Sequence, residues 1–231
     1  MSISPSADRP QRSLREQKRE LYQRNIVLAA EAVFADEGYD AAKVSRIAAE
    51  AGLSLTTLYS VFESKWDIYR AVYRFRLGEL MQLVQDMLQA PLSVLDLVLQ
   101  GQRMHLMFLM EHPNYLKMQL KEGNAWPTLE LLRTPEQIDA LSVGVRVLTE
   151  AVRRCIDGGL LIDDDPALIA RTAIASQQVR LAMWIENEMA LDPSHVADDA
   201  NRQFVRSYCR SEVFEEAMKR CASVAMSQAA S

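Results

Sequence analysis

Val44-Ser45-Arg46-Ile47-Ala48-Ala49-Glu50-Ala51-Gly52-Leu53-Ser54-Leu55-Thr56-Thr57-Leu58-Tyr59-Ser60-Val61-Phe62 is the stretch whose reading decides the fold. Two short helices that cross through a tight turn need small residues at the crossing and a glycine or other small residue in the turn. The second helix must also keep apolar anchors beneath a polar outer face. Ile47, Ala48 and Ala51 give a helix over residues 44–51 its inward side, and Gly52 turns the chain. Leu53, Leu58 and Phe62 then hold down a second helix over 55–61, which Ser54 is placed to cap. Leu55, Thr56, Thr57, Tyr59 and Ser60 are left facing outward, where a helix-turn-helix offers side chains to a major groove.

Outward from this stretch the chain reads as all-α. Upstream, apolar residues from Leu21 to Phe34 fall mainly on one face of a helix expected over 17–38, with Gly38 as a left-handed cap. Residues 1–14, rich in Ser, Pro and Arg, are expected to be disordered. Downstream, Ser64 can cap a helix over 65–89, and Pro91, Pro113, Pro135, Gly158-Gly159 and Pro193 divide the rest of the chain. The segment 92–111 is apolar around most of its circumference, as in a helix buried inside a bundle. Residues 114–122 form a short amphipathic helix, and 123–134 a loop with a helical turn. Ile138, Leu141, Val145, Leu148, Val152 and Ile156 stripe a helix over 135–157. Asp163, Asp164 and Asp165 followed by Pro166 mark the start of a helix running to Met189. The tail over 194–227 reads as two helices broken near Cys209 to Ser211. No strand-period segment and no internal repeat is present.

Charge distribution decides whether nucleic acid is a plausible partner. The net charge of −5 argues against it, but Arg9 to Arg24 carries six basic residues and only two acids, Glu16 and Glu20. Residues 71–231 hold 16 basic and 21 acidic side chains, so the acidity belongs to the C-terminal part. The basic N-terminal stretch reads either as a DNA-seeking arm or as a solvated extension. Cys155, Cys209 and Cys221 are odd in number and far apart, which fits a reduced, cytoplasmic chain. No signal-peptide core and no membrane-spanning run is legible. No Ser/His/acid set, paired carboxylates or glycine-rich phosphate loop is found, so an enzyme is not expected. His105 and His112 lie seven residues apart without a third ligand, so neither a metal nor any other cofactor is expected.

The string from Arg24 to Ile68 resembles the DNA-binding domain of the TetR (TetR/AcrR) family of bacterial transcriptional regulators. Ile26, Ala29-Ala30, Phe34, Gly38-Tyr39, Val44, Ile47-Ala48, Ala51-Gly52, Ser54, Leu58-Tyr59, Phe62, Lys65 and Ile68 carry the resemblance. Ala-Gly-x-Ser alone is common to many helix-turn-helix proteins, and the adjoining Leu-Tyr-x-x-Phe-x-x-Lys makes the pattern specific. The resemblance implies phosphate contacts from Tyr59, Lys65, Lys43 and Ser45. It implies base-edge contacts from Thr56 and Thr57, and contact of Leu55 with a thymine methyl. Ser54 and Ser60 complete the candidate DNA-binding set. Ala42-Lys43 departs from the family's usual pair of small hydroxyl residues, and Thr56 from a frequent glycine, so the operator sequence is not readable.

For the whole chain, the resemblance implies a basic extension over 1–16, a three-helix helix-turn-helix domain over 17–64, and a larger helical bundle over 65–231 that dimerises and binds a ligand. It implies a homodimer on double-stranded operator DNA, released by a small hydrophobic or amphipathic effector and requiring no membrane. Arg103, Met104, Met107, Phe108, Met118, Trp126 and Trp184 are candidates to line the effector pocket, with ordinary core packing the plainer reading of each. Leu168, Ile174, Leu181, Met183 and Trp184, with Phe204 and Tyr208, offer apolar surface either to a dimer partner or to the subunit's own core. The alternative reading is a helical small-molecule-binding protein or enzyme that keeps the fold without binding DNA.

Overall fold

The computed structural model describes residues 13–121 and 135–228, and for 136–141 and 222–228 the backbone alone. Among the described residues ten helices follow one another: α1 (Leu14–Ala41), α2 (Val44–Glu50), α3 (Leu55–Tyr59), α4 (Lys65–Leu88), α5 (Val94–Glu111), α6 (Pro113–Lys121), α7 (Pro135–Asp157), α8 (Pro166–Glu186), α9 (Pro193–Tyr208) and α10 (Ser211–Gln228). Among the described residues there is no strand, only an isolated antiparallel bridge between Leu161 and Cys209. The all-α expectation holds. Trp126 and the loop expected over 123–134 lie outside the described residues, as do residues 1–12.

Local capping chemistry explains most of the helix limits. Ser13 and Glu16 form a capping box, each side chain serving the other's backbone N–H, so α1 starts at Leu14 rather than Gln17. The Ser-x-x-Glu signal for this was in the sequence. At the other end Gly38 leaves helical geometry at φ 80°, but the helix resumes to Ala41, so the glycine kinks α1 instead of ending it. Ser54, Ser64 and Ser93 each accept a backbone N–H three residues on and start α3, α4 and α5. Asp165 accepts the Ala167 N–H to start α8, and Asp192 those of Ser194 and His195 to start α9, each followed by Pro at the first helical position. α8 stops at Glu186, short of Met189, because Glu188 and Met189 take positive φ.

Among the described residues two apolar clusters form the interior. The first joins α1, α2 and α3 to α4, α6, the C-terminal halves of α5 and α8, and the start of α9; Ile26, Phe34, Ile47, Leu58, Ile68, Leu106, Leu116 and Leu181 lie at its centre. The helix-turn-helix therefore shares its core with the helices behind it. Rings run through this core in sequence: Tyr39 to Tyr69 at 4.8 Å, Tyr69 to Tyr73 at 5.2 Å, Tyr73 to Tyr115 at 5.4 Å and Tyr115 to Phe108 at 6.5 Å. Edge-on and tilted ring pairs of this kind add directional attraction to area burial. The second cluster holds Leu95, Leu99, Val152, Cys155, Leu161, Ile169, Phe204 and Cys221 at the far end.

One ion pair ties α1 to α4 inside the first cluster. Arg76 Nε donates to Glu31 Oε2 at 2.6 Å and Nη2 to Glu31 Oε1 at 3.0 Å, while Nη1 donates to Glu79 at 2.7 Å. Glu31 and Arg76 are both buried. Burial alone would lower the Arg76 pKa, but the hydrogen bonds to Glu31 and Glu79 outweigh it and hold it above the ordinary arginine value.

Candidate nucleic-acid interface

The α2–α3 unit is fixed by few interactions, most of them local. Gly52 sits at φ 67°, a conformation that a side chain would strain, and Leu53 N–H donates back to the Ala48 carbonyl at 2.9 Å. Ile47 and Ala48 of α2 and Leu58 of α3 are buried, and Phe62 follows just beyond α3 as a fourth anchor. Arg46 braces α2 against α1, donating to Asp36 at 2.9 Å and to Glu37. That guanidinium is exposed, so its pairing orients more than it stabilises.

With Leu58 anchored, the opposite side of α3 faces solvent. Leu55 is 43% and Tyr59 48% exposed, unusual for large apolar and aromatic side chains, and Thr56 and Ser60 are exposed beside them. Lys43 and Ser45, at the start of α2, are also exposed. Ser54 and Thr57 are turned partly inward on each other. The Ser54 hydroxyl accepts the Thr57 N–H at 3.0 Å and lies 2.8 Å from the Thr57 hydroxyl. Ser60 donates to the Thr57 carbonyl at 2.6 Å. Those hydroxyls build the helix, so Leu55, Thr56 and Tyr59 are the uncommitted side chains.

Lys65 has a different setting from the rest. Its ammonium donates to the carbonyls of Tyr39 at 2.7 Å, Ala42 at 3.0 Å and Asp40 at 3.2 Å, and lies 4.7 Å from the Tyr39 ring centre. An ammonium has three donors, and all three are used to rivet the start of α4 to the α1–α2 corner. What remains for a phosphate is the charge and the helix N-terminus. Asp67 in the first turn of α4 offsets part of that positive end.

Residues 26–72 match the family model described as bacterial regulatory proteins, tetR family. The helix-turn-helix segment is therefore of the TetR-family type. The TetR-family segment is 34% identical over 70 residues to the "Fatty acid metabolism regulator protein" of Bacillus subtilis strain 168, covering 30% of this chain and 36% of that protein. It is 39% identical over 64 residues to the "HTH-type transcriptional activator FasR" of Mycolicibacterium smegmatis, covering 28% of this chain and 29% of that one. The match thus spans about a third of the length of these curated relatives. Solved TetR-like structures extend the likeness in fold. The ketosteroid transcriptional regulator KstR2 of Mycobacterium tuberculosis superposes with a TM-score of 0.70 at 19% identity, over 82% of this chain and 95% of that one. FadR of Bacillus subtilis in complex with stearoyl-CoA gives 0.62 at 20% identity, over 77% and 94%.

Behind the helix-turn-helix segment, Met107 packs against the first apolar cluster beside three other expected pocket residues. Phe108, Met118 and Trp184 belong to the first apolar cluster, and Trp184 also donates to the Leu191 carbonyl at 2.8 Å. Met118 borders a cavity of about 190 Å³ beneath the Gly38 kink, with Phe34, Tyr39 and Tyr69. Met104 and Met107 are half-buried, and Arg103 is buried against Asp198. Of the expected dimer residues, Leu181, Trp184 and Phe204 are buried within the subunit, so they are core and not surface. Leu168 and Met183 are 55% and 54% exposed, and Val179, which the periodicity did not single out, is 54% exposed. No described helix is long and apolar enough to cross a membrane.

Proposed function

We propose that this chain is a homodimeric regulator that binds operator DNA through α3 and releases it when a small hydrophobic or amphipathic effector enters the helical domain. The observation that carries the DNA-binding part is the outer side of α3: Leu55, Thr56 and Tyr59 stand exposed while Leu58 and Phe62 anchor the element from beneath. Tyr59 then hydrogen-bonds a phosphate, Lys43 and Ser45 meet the backbone from α2, and Leu55 and Thr56 read base edges. Thr57, Ser54 and Ser60 support α3 from within, and Lys65 positions it while adding charge near the backbone.

The domain reading is an extension over 1–16, a helix-turn-helix domain over 17–64 and an effector and dimerisation domain over 65–231. Dimerisation is supported by α8, where Leu168, Thr172, Val179 and Met183 recur at spacings of 4, 7 and 4 and are all exposed. Such spacings keep side chains on one helix stripe. Pairing α8 and α9 with their mates would set two recognition helices about 34–36 Å apart, one turn of DNA, on a palindromic site. Repression is the simplest outcome of occupying such a site in the cytoplasm. The effector part is supported by the relatives, one named for fatty acid metabolism and one solved with stearoyl-CoA.

Fluorescence-anisotropy titration into DNA from upstream of the chain's own gene, at several salt concentrations, tests the proposal. Sequence-preferring binding that tightens as salt falls is expected. Val179→Glu with Met183→Glu should turn dimers into monomers in native mass spectrometry and weaken operator binding. Absence of sequence preference at every salt concentration would refute the DNA-binding reading, and dimers surviving both substitutions would refute the α8 interface.

A further inference from the structure

The corner where α1 passes into α2 packs against α4 and α6, and a cavity of about 190 Å³ opens there beneath the Gly38 kink. Its floor is covered: Phe34 of α1, Tyr69 of α4 and Met118 of α6 are each exposed by 2% or less. Asp40, Ala41 and Lys121 line it too and are exposed, so they form its mouth. The cavity thus lies on the joint between the helix-turn-helix and the helices behind it, outside the interior of the helical domain.

One polar atom on this floor is unspent. The Tyr69 hydroxyl is buried and has no hydrogen-bond partner among the described residues. The carbonyls around the corner are already engaged. Lys65 donates to those of Tyr39, Asp40 and Ala42, Lys121 to that of Asp36, and the Ala42 N–H to that of Gly38. A dry hydroxyl is costly unless something supplies its partner. Water suits the space poorly, because a buried water needs several polar partners and the side chains of this floor offer one.

Size, walls and charge narrow what fits. A cavity of about 150 Å³ accommodates one benzene ring, so this one has room for a ring and a small substituent. The rings of Phe34, Tyr39 and Tyr69 already pack on one another at centroid distances of 4.8 to 5.9 Å, and a further ring extends that group. Charges at the corner balance: Asp36, Glu37 and Asp40 stand against Arg46, Lys65 and Lys121, and Arg46 pairs with both Asp36 and Glu37. An ion would enter without compensation. The geometry points to a small-molecule site for an uncharged aromatic ring that carries a carbonyl oxygen. That oxygen accepts the hydrogen bond of the Tyr69 hydroxyl, and the ring lies against Phe34, Tyr39 and Met118. The site is separate from the effector proposed for the helical domain, and its occupation requires no DNA.

Benzamide, benzoate and benzamidinium share one shape and differ in charge. Titrating each into the full-length protein, by calorimetry and saturation-transfer NMR, tests the site. Benzamide should bind the wild type, and both ions at least about tenfold more weakly. Tyr69→Phe keeps the ring and removes the hydroxyl. It should weaken benzamide about fivefold, the worth of one hydrogen bond, with the melting temperature kept or raised. Ala41→Trp alters an exposed position, narrows the mouth and should abolish benzamide binding without moving the melting temperature. Absence of benzamide binding to the wild type overturns the proposal, as does either ion binding as tightly, or benzamide affinity that survives Tyr69→Phe or Ala41→Trp. A Tyr69→Phe variant that melts well below the wild type overturns it too, because the hydroxyl would then have its partner within the protein.

Discussion

Replacing Glu31 by leucine probes the strongest link between the helix-turn-helix and the helices behind it. Glu31 on α1 takes two hydrogen bonds from Arg76 on α4, at 2.6 and 3.0 Å, with both groups buried. Removing one partner of a buried pair costs about 3–5 kcal/mol, because the surviving charge stays desolvated. Arg76 would retain Glu79 at 2.7 Å, a half-exposed carboxylate, so the lower end, about 3 kcal/mol, is expected for Glu31→Leu. In the double variant Glu31→Leu/Arg76→Met no charge of the pair is left behind, and most of that loss should return. Urea unfolding followed by circular dichroism, at one fixed protomer concentration, measures the cycle. A coupling of about 2 kcal/mol or more is expected for residues in direct contact. If Glu31→Leu alone costs less than about 0.5 kcal/mol, or the double variant is as unstable as the sum of the singles, the pair is not what joins α1 to α4. Because the Arg76 pKa is raised above an already very high ordinary value, its contribution is fully present below that value and should not vary across the neutral pH range.

Tyr59→Phe removes a hydroxyl from an exposed ring and should weaken operator binding about five- to tenfold without moving the melting temperature, as read by anisotropy and a thermal melt; unchanged affinity would show that the hydroxyl meets no phosphate. Lys65→Met should destabilise the fold by about 1–3 kcal/mol, since it removes the ammonium that joins the start of α4 to the α1–α2 corner, and a variant that loses DNA affinity at wild-type stability would assign Lys65 to the phosphate alone. For His105 the sign comes from its lowered pKa: the unfolded ring takes up its proton near 6.5, before the folded ring does, so stability should fall as pH drops below about 6.5. His112 is lowered too, by burial and by Arg76, so His105→Gln should flatten the slope in part and His105→Gln/His112→Gln more completely; a slope unchanged in both variants would refute the assignment.

The sequence by itself determined the helices and the motif, because both depend on interactions that close within a few residues. Ser54, Ser64, Asp165 with Pro166 and Asp192 with Pro193 start helices where they stand. Gly52 turns α2 into α3 on its own backbone freedom. The α1 start is equally local, in the Ser13–Glu16 box, although the Ser-, Pro- and Arg-rich composition around it points to disorder. Only the tertiary structure decided what each side chain does. Glu31 and Arg76 are 45 residues apart, Arg103 and Asp198 are 95 apart, and Lys65 finds its carbonyls across the α1–α2 corner. Periodicity places such residues on a helix face without naming the helix that will cover it. The same limit applied to apolar positions: Leu181 and Trp184 went to the core while Leu168 and Met183 remained outside, though all four lie on α8. Burial is a property of what packs against a residue, and that is settled only when helices distant in sequence come together.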